Sequence, residues 1–247
     1  MPIALNFTSV FEQEFEINFS QCYPNGKLRH TELCDLLQQT AAKHAEIGGI
    51  SFEDMQQFDQ AWVMIKLRIE IGELPNCNAK IVIKTWIKSI ENSKSVRAME
   101  IYCQSQKIGS SETLWVVFNT KKRIAEPILI TYDHFELFPD RNATQTLPKN
   151  IYISKQKTSI SHRQIVLSDI DNVNHVNNIK YLEWCLDLLD INLILDAKIG
   201  SFEMNFLREL VLNDSIEIGF LSENSTMIFS GSKENKNCFA LQLNLKT

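Results

Sequence analysis

The order of hydrophobic patterns occurs twice in this chain, and this repetition constrains the fold more than any other feature. In each half, a strand-like segment is followed by a turn, an amphipathic helix and a series of strand-like segments. One helix on one half-closed sheet leaves an exposed sheet edge, and a second copy can cover it. The pattern therefore predicts an α+β chain of two similar halves, each with a helix packed against a curved antiparallel sheet.

The first half gives the clearest periodicities. Phe15, Ile17 and Phe19 alternate with polar residues, which predicts a strand with these three side chains on its buried face. Helical spacing predicts a helix over residues 31–47, with Thr31 as its N-cap and Gly48 at its end. Four strands should follow, over residues 61–71, 79–90, 95–105 and 112–121.

A polar segment with two prolines, residues 138–150, indicates a connector. The predicted domains are residues 1–137, a connector over 138–155, and residues 156–247. The second helix should run over about 177–189, and strands should follow over residues 201–209, 214–222, 226–233 and 238–245.

Composition excludes several classes of function. A net charge of −5 over 247 residues argues against sequence-independent nucleic-acid binding. The six cysteines are dispersed without a CxxC pair or a nearby histidine, so no metal site is expected. No apolar run approaches the roughly 18 residues that a membrane span needs, and the first residues lack a signal-peptide pattern. We therefore expect a cytoplasmic protein with no membrane span.

The loop that opens the second helix, residues 168–178, has the most unusual composition. It contains two aspartates, four asparagines and His175, whereas capping a helix needs only one oxygen acceptor. A helix start offers unpaired N–H groups, here around Val176, Asn177 and Asn178, which suit a developing oxyanion. A histidine beside a carboxylate can move a proton near neutral pH. These are the components for an attack of water on an activated acyl group.

The sequence of this loop and helix, Asp-Ile-Asp-x-x-x-His-Val-Asn-Asn-x-Lys-Tyr-x-x-Trp from residue 169, resembles the signature of acyl-acyl carrier protein thioesterases. The pairs Leu37-Gln38, Thr85-Trp86 and Arg208-Glu209 also match motifs of that family. The resemblance implies a double hotdog fold and hydrolysis of the thioester between a fatty acyl chain and acyl carrier protein. It implies no cofactor.

Carried over by position, the resemblance assigns the catalytic roles to Asp171, His175 and Glu209. Either His175 or Glu209 would activate water, and Asp171 would orient the loop or the imidazole. Asn174 or Asn177 would position the water. A covalent acyl-enzyme through Cys185 is the less favoured route, because that residue falls on the core-facing side of the helix.

Two features depart from a simple match. The family commonly has asparagine two residues before the histidine, and here that position is Val173, so either the loop bends to present Asn174 or the amide is not used. Glu209 is out of step with the alternating face of Phe202, Met204 and Phe206, so it needs a bulge near Leu207 and Arg208 to face the helix.

The family's example places the acyl chain in the first half, next to Leu37, Trp62 and Trp86. The expected partner is the acidic acyl carrier protein, and residues 121–123 with Lys149, Lys155 and Lys157 are candidate docking charges. The chain is expected to be a monomer or a homodimer. Two alternatives stay open: another hotdog enzyme, such as an acyl-CoA thioesterase or a dehydratase, and a non-catalytic acyl-binding module.

Overall fold

A computed structural model describes residues 3–153 and 159–246. The chain divides into two compact units between Pro148 and Lys149, a point within the predicted connector. The limits of the domains at residues 137 and 155 stay predictions, and residue 155 lies outside the described residues. No helix of the described part is both long and apolar enough to cross a membrane.

The N-terminal unit contains one long helix and a sheet of five long antiparallel strands. In chain order its elements are β1 (Val10–Glu16), α1 (His30–Ile47), α2 (Phe52–Gln56), β2 (Gln60–Ile71), β3 (Lys80–Glu91), β4 (Lys94–Cys103), β5 (Gln106–Asn119) and the short β6 (Ile124–Ala125). The long strands are ordered β1-β3-β4-β5-β2, and β6 pairs with β5. The predicted helix and the four strands after it are confirmed, although β5 begins six residues earlier than expected.

Helix α1 forms because one of its faces is apolar. Leu33, Leu37 and Ala41 recur at helical spacing and are buried against the sheet. The helix ends before Gly48, and Gly49 adopts a left-handed φ of 69°, as a helix C-terminus favours. The predicted N-cap is wrong: the helix begins at His30, so Thr31 is already inside it.

The predicted buried face of the first strand is also partly wrong. Ile17 is fully buried, but Phe19 is 88% exposed. Strand β1 ends at Glu16 and a 3-10 turn spans Phe19–Gln21, so the alternation of faces no longer applies at Phe19.

The C-terminal unit repeats the arrangement with a shorter helix. Its elements are β7 (Ser159–Gln164), a 3-10 turn (Leu167–Asp169), α3 (Asn178–Leu186), α4 (Ile191–Leu195), β8 (Ile199–Phe206), β9 (Ser215–Glu223), β10 (Thr226–Lys233) and β11 (Lys236–Leu245). The strands are antiparallel in the order β8-β11-β10-β9-β7.

Helix α3 ends at Leu186, three residues earlier than predicted. The N–H groups of Leu188 and Leu189 bond to carbonyls three residues back, which tightens the chain into a turn. The Asp190 side chain then accepts the N–H of Asn192 and starts α4 as a separate helix.

Helix α3 packs on its sheet through aromatic rings. The ring of Tyr181 lies 4.8 Å from that of Phe239 on β11, and Phe239 is opposite Gly231 on β10. A side chain at Gly231 would overlap the Phe239 ring. The absence of a side chain at this position therefore allows the ring to support α3.

We expect Gly231→Ala to lower the free energy of unfolding by about 1–3 kcal/mol, because an added methyl group overpacks a buried ring. Urea unfolding measures this. Gly200→Ala in β8 is the matched control, since the nearest atom to its new methyl group is in the flexible Lys246 side chain, at 3.0 Å, and the backbone atoms nearby are at ordinary contact distances of 3.6 and 3.7 Å. Equal stability of the two variants would contradict the packing described here.

Candidate active site

The loop before α3 is folded around the carboxylate of Asp171. Its Oδ1 accepts the backbone N–H groups of Val173 at 3.0 Å and of His175 at 3.1 Å. The Asp171 N–H in turn donates to the His175 carbonyl at 2.8 Å. Asp171 therefore fixes the backbone of the loop on both sides of His175.

His175 and Glu209 come together at the start of the helix. His175 Nε2 lies 3.5 Å from Glu209 Oε2, and the two side chains are 31% and 36% exposed. The strand supplies the irregularity that Glu209 needs: β8 ends at Phe206, and the N–H groups of Leu207 and Arg208 both donate to the Cys238 carbonyl. The pair is therefore preformed and open to water.

The backbone N–H groups at the start of α3 are nearly all occupied. Val176 donates to the Leu210 carbonyl, and Asn177 donates to the Asp169 carbonyl, each at 2.9 Å. These bonds argue against Val176 and Asn177 as the predicted oxyanion donors. Asn178 differs, because its N–H has no acceptor among residues 3–153 and 159–246. It is the donor that a ligand can use.

The asparagines of the loop have different environments. Asn177 is the N-cap of α3: its side chain accepts the N–H of Ile179 at 3.0 Å. Asn174 has a left-handed φ of 64°, and its N–H donates to the Asp171 carbonyl, so the loop is a turn and not an extended segment. Asn174 and Val173 are both exposed.

The sequence does not predict the ion pair that holds the start of this loop. Asp169 is buried and accepts from Arg163 and from the Val166 N–H, each at 3.0 Å. The Arg163 guanidinium also lies over the Trp184 ring of α3, 4.7 Å from its centre. Asp169 is therefore a structural carboxylate. Its pairing with an arginine five residues before the loop motif carries no sequence signal.

Two further side chains are excluded from chemistry by burial. Cys185 is fully buried, and burial raises its pKa well above the usual range of a thiol, so it does not supply a nucleophile. Burial likewise raises the pKa of Tyr181, and its ring packs between those of Trp184 and Phe239. Tyr181 is a packing residue.

The predicted acyl-chain residues of the N-terminal unit do not form one group. Trp62 lines a cavity beside helix α1, and Leu37 lines a smaller apolar cavity on the same helix. Trp86 does not line either cavity: it faces the other side of the sheet, packs with Ala98 and Ala143, and donates to the Arg141 carbonyl. Trp86 is therefore separated from both cavities, because successive strand residues face opposite sides and its neighbour Thr85 is the one that bonds Arg97 in the wall of the larger cavity; its role in substrate binding stays a prediction.

No group of three or more histidine, cysteine or acidic side chains in the described chain is placed to hold a metal ion. The described site consists of a histidine, two carboxylates and one available N–H group. Such a set can take up a proton and stabilise a negative charge on an oxygen atom.

Comparison with known families matches both halves of the chain. The family model of the acyl-ACP thioesterase N-terminal domain matches residues 8–133, and that of the C-terminal domain matches residues 152–243. A palmitoyl-acyl carrier protein thioesterase, chloroplastic, from Cuphea hookeriana is 25% identical over 218 residues, covering 81% of this chain and 52% of the relative. An oleoyl-acyl carrier protein thioesterase, chloroplastic, from Coriandrum sativum is 25% identical over 207 residues, covering 75% of this chain and 55% of the relative. The chain therefore spans about half the length of these curated relatives.

Solved structures match nearly the whole chain. An acyl-ACP thioesterase from Bacteroides thetaiotaomicron has a TM-score of 0.88 at 22% identity, covering 96% of this chain and 98% of that one. A 12:0-ACP thioesterase from Umbellularia californica has a TM-score of 0.84 at 18% identity, covering 97% of this chain and 98% of that one. These likenesses confirm the predicted double hotdog α+β fold.

We expect Asp171→Ala to lower the free energy of unfolding by about 1–2 kcal/mol, because two backbone N–H groups lose their acceptor. Asp171→Asn keeps an acceptor oxygen and should lose less. Urea unfolding and amide hydrogen exchange at Val173 and His175 measure the effect. Unchanged stability and exchange in Asp171→Ala would show that the carboxylate does not fix the loop.

Proposed function

The chain belongs to the acyl-acyl carrier protein thioesterase family, and we propose that it hydrolyses the thioester of fatty acyl-acyl carrier protein to a free fatty acid. The observation that carries the proposal is the His175–Glu209 pair, 3.5 Å apart, beside a helix start with one available N–H group. A water molecule beside this imidazole and carboxylate can hydrogen-bond to one or both of them and give up its proton to the pair.

The proposed reaction proceeds in two steps. The water oxygen attacks the thioester carbonyl carbon while its proton passes to the pair of His175 and Glu209. The carbonyl oxygen becomes an oxyanion and accepts the N–H of Asn178. The tetrahedral adduct then breaks its carbon–sulfur bond, and the departing thiolate takes up the proton, giving the fatty acid and the carrier thiol.

The structure supports different roles for the remaining site residues. Asp171 acts through the backbone of the loop and is a positioning residue. Asn177 is occupied as the N-cap of α3, so Asn174, which is exposed on the turn, is the better candidate to position the water. Trp62 and Leu37 are the proposed contacts of the acyl chain in the N-terminal unit.

Acyl carrier protein is the proposed partner, by analogy with the names of the relatives. The candidate docking lysines are already paired in part: Lys121 lies 2.8 Å from Asp59, and Lys122 lies 3.2 Å from Glu126. Lys155 and Lys157 lie outside the described residues. A cytoplasmic location and a monomeric or homodimeric state stay predictions.

We expect His175→Ala and Glu209→Gln each to lower kcat for thioester hydrolysis by roughly 10²-fold or more, because each removes part of the proton acceptor. Release of free thiol from acyl-acyl carrier protein substrates of several chain lengths measures this. Glu183→Gln is the matched control, since Glu183 on α3 pairs with Lys180 at 3.0 Å and lies outside the site. The variants should melt at the same temperature as the wild type.

The same assay, combined with analysis of the acyl product and a binding measurement, separates the alternatives. Faster release from acyl-CoA would indicate another hotdog thioesterase, and loss of water from a hydroxyacyl substrate without free thiol would indicate a dehydratase. Tight acyl binding without any release would indicate a binding module. Wild-type rates in both His175→Ala and Glu209→Gln would contradict the proposed site.

A further inference from the structure

A cavity of about 690 Å³ lies beside helix α1 in the N-terminal unit. Helix residues on its rim are exposed, whereas the sheet side of its wall includes Trp62, Ile87 and Trp115. One buried member of this wall differs from its neighbours in charge: Arg97 on β4 is a cation and is only 6% exposed. The cavity thus has a cation on its buried side.

Arg97 has no counter-ion. In the described chain no carboxylate forms an ion pair with its guanidinium, and three acids that also line the cavity, Asp35, Glu46 and Glu53, are not among its partners. Burial alone lowers the pKa of Arg97, to about 10, so the side chain stays charged at neutral pH.

The neighbours of Arg97 do not compensate its charge. Its Nη1 donates to His44 Nδ1 at 2.8 Å and to Thr85 Oγ1 at 3.1 Å. Because a guanidinium has only donors, His44 Nδ1 carries no proton, and Nε2 donates to the Thr8 carbonyl at 3.0 Å. Burial and the nearby Arg97 lower the pKa of His44 to about 3, so the ring is neutral. The cluster keeps one positive charge in the core.

Part of the Arg97 guanidinium makes no hydrogen bond within the described residues. Its Nε and Nη2 groups have no hydrogen-bond acceptor among residues 3–153 and 159–246, and they are not among the fully enclosed unpaired atoms. An unpaired buried charge is costly, so proteins normally give it an acceptor. Here the described residues supply no acceptor for these donors, and Arg97 lines a cavity.

We propose that this cavity binds acyl chains that carry an oxygen atom, as a hydroxyl or a carboxylate, at the end far from the thioester, and that Arg97 donates to that oxygen. This deepens the proposed function, on which it rests, by naming a class of acyl group. The terminal position is part of the proposal and rests on the burial of Arg97, since the hydrocarbon end of an acyl chain is the part that leaves solvent most completely.

The experiment measures binding by calorimetry, without hydrolysis. The ligands are amide analogues of acyl-pantetheine with ten-carbon chains that end in a methyl group, a hydroxyl or a carboxylate. Hydrogen bonds to a charged donor predict at least about tenfold tighter binding of an oxygenated chain than of the methyl-ended one. The hydroxyl and carboxylate arms show which oxygen is preferred.

Variants assign the preference to Arg97. Arg97→Met should abolish it, and Arg97→Lys, which keeps a cation, should retain part of it. Arg68→Met is the matched control, because Arg68 pairs with Glu70 at 2.9 Å and does not line the cavity. Equal or tighter binding of the methyl-ended chain by the wild type would overturn the proposal, as would an undiminished preference in Arg97→Met.

Thiol release from unsubstituted decanoyl-acyl carrier protein distinguishes the two proposals. Release without any preference for oxygenated chains would leave the thioesterase activity in place and reject the role of Arg97. A preference without release from any substrate would support the role of Arg97 and reject the hydrolysis.

Discussion

The start of helix α3 depends on acceptors for its backbone N–H groups. The loop supplies them from the Asp169 carbonyl and the Asn177 side chain, and the Leu210 carbonyl supplies another. Among the described residues, only the N–H of Asn178 at this helix start lacks an acceptor. The same loop is tightened by the Asp171 carboxylate, so His175 follows a fixed turn and its imidazole reaches Glu209. Asp169, Asp171 and Asn177 therefore hold the loop and the helix start in shape, whereas His175 is left for proton transfer.

Because different residues of the loop have different roles, its composition predicts a functional site but does not predict the role of each residue. A surplus of amide and acid side chains before a helix indicates more than capping, and that surplus was readable. Whether Asn174 or Asn177 serves as the cap depends on the left-handed turn at Asn174, which follows from the folded loop as a whole. The partner of Asp169 is an arginine on a separate strand, which no local pattern reveals.

The fold was predictable where periodicity is strong. Helix α1 and the strands β2 to β4 follow their patterns within about two residues at either end. The start of β5 was missed because the hairpin before it turns through Gln104 and Ser105, both with positive φ, without the glycine or asparagine that usually marks such a turn. The pair Thr85-Trp86 shows a further limit: Thr85 faces the helix and bonds Arg97, whereas Trp86 faces the opposite side. The alternation of side chains along a strand predicts which residues share a face of the sheet, but it does not predict which face borders a cavity.

In the proposed mechanism, the N–H of Asn178 donates to the carbonyl oxygen of the thioester. Two-dimensional ¹H–¹⁵N NMR of the protein with a ketone analogue of acyl-pantetheine tests it directly. We expect a large downfield shift of the Asn178 amide proton, with the Val176 and Asn177 amides little changed because their acceptors are already in place. An unmoved Asn178 signal in the saturated complex, or larger shifts at Val176 and Asn177, would contradict it.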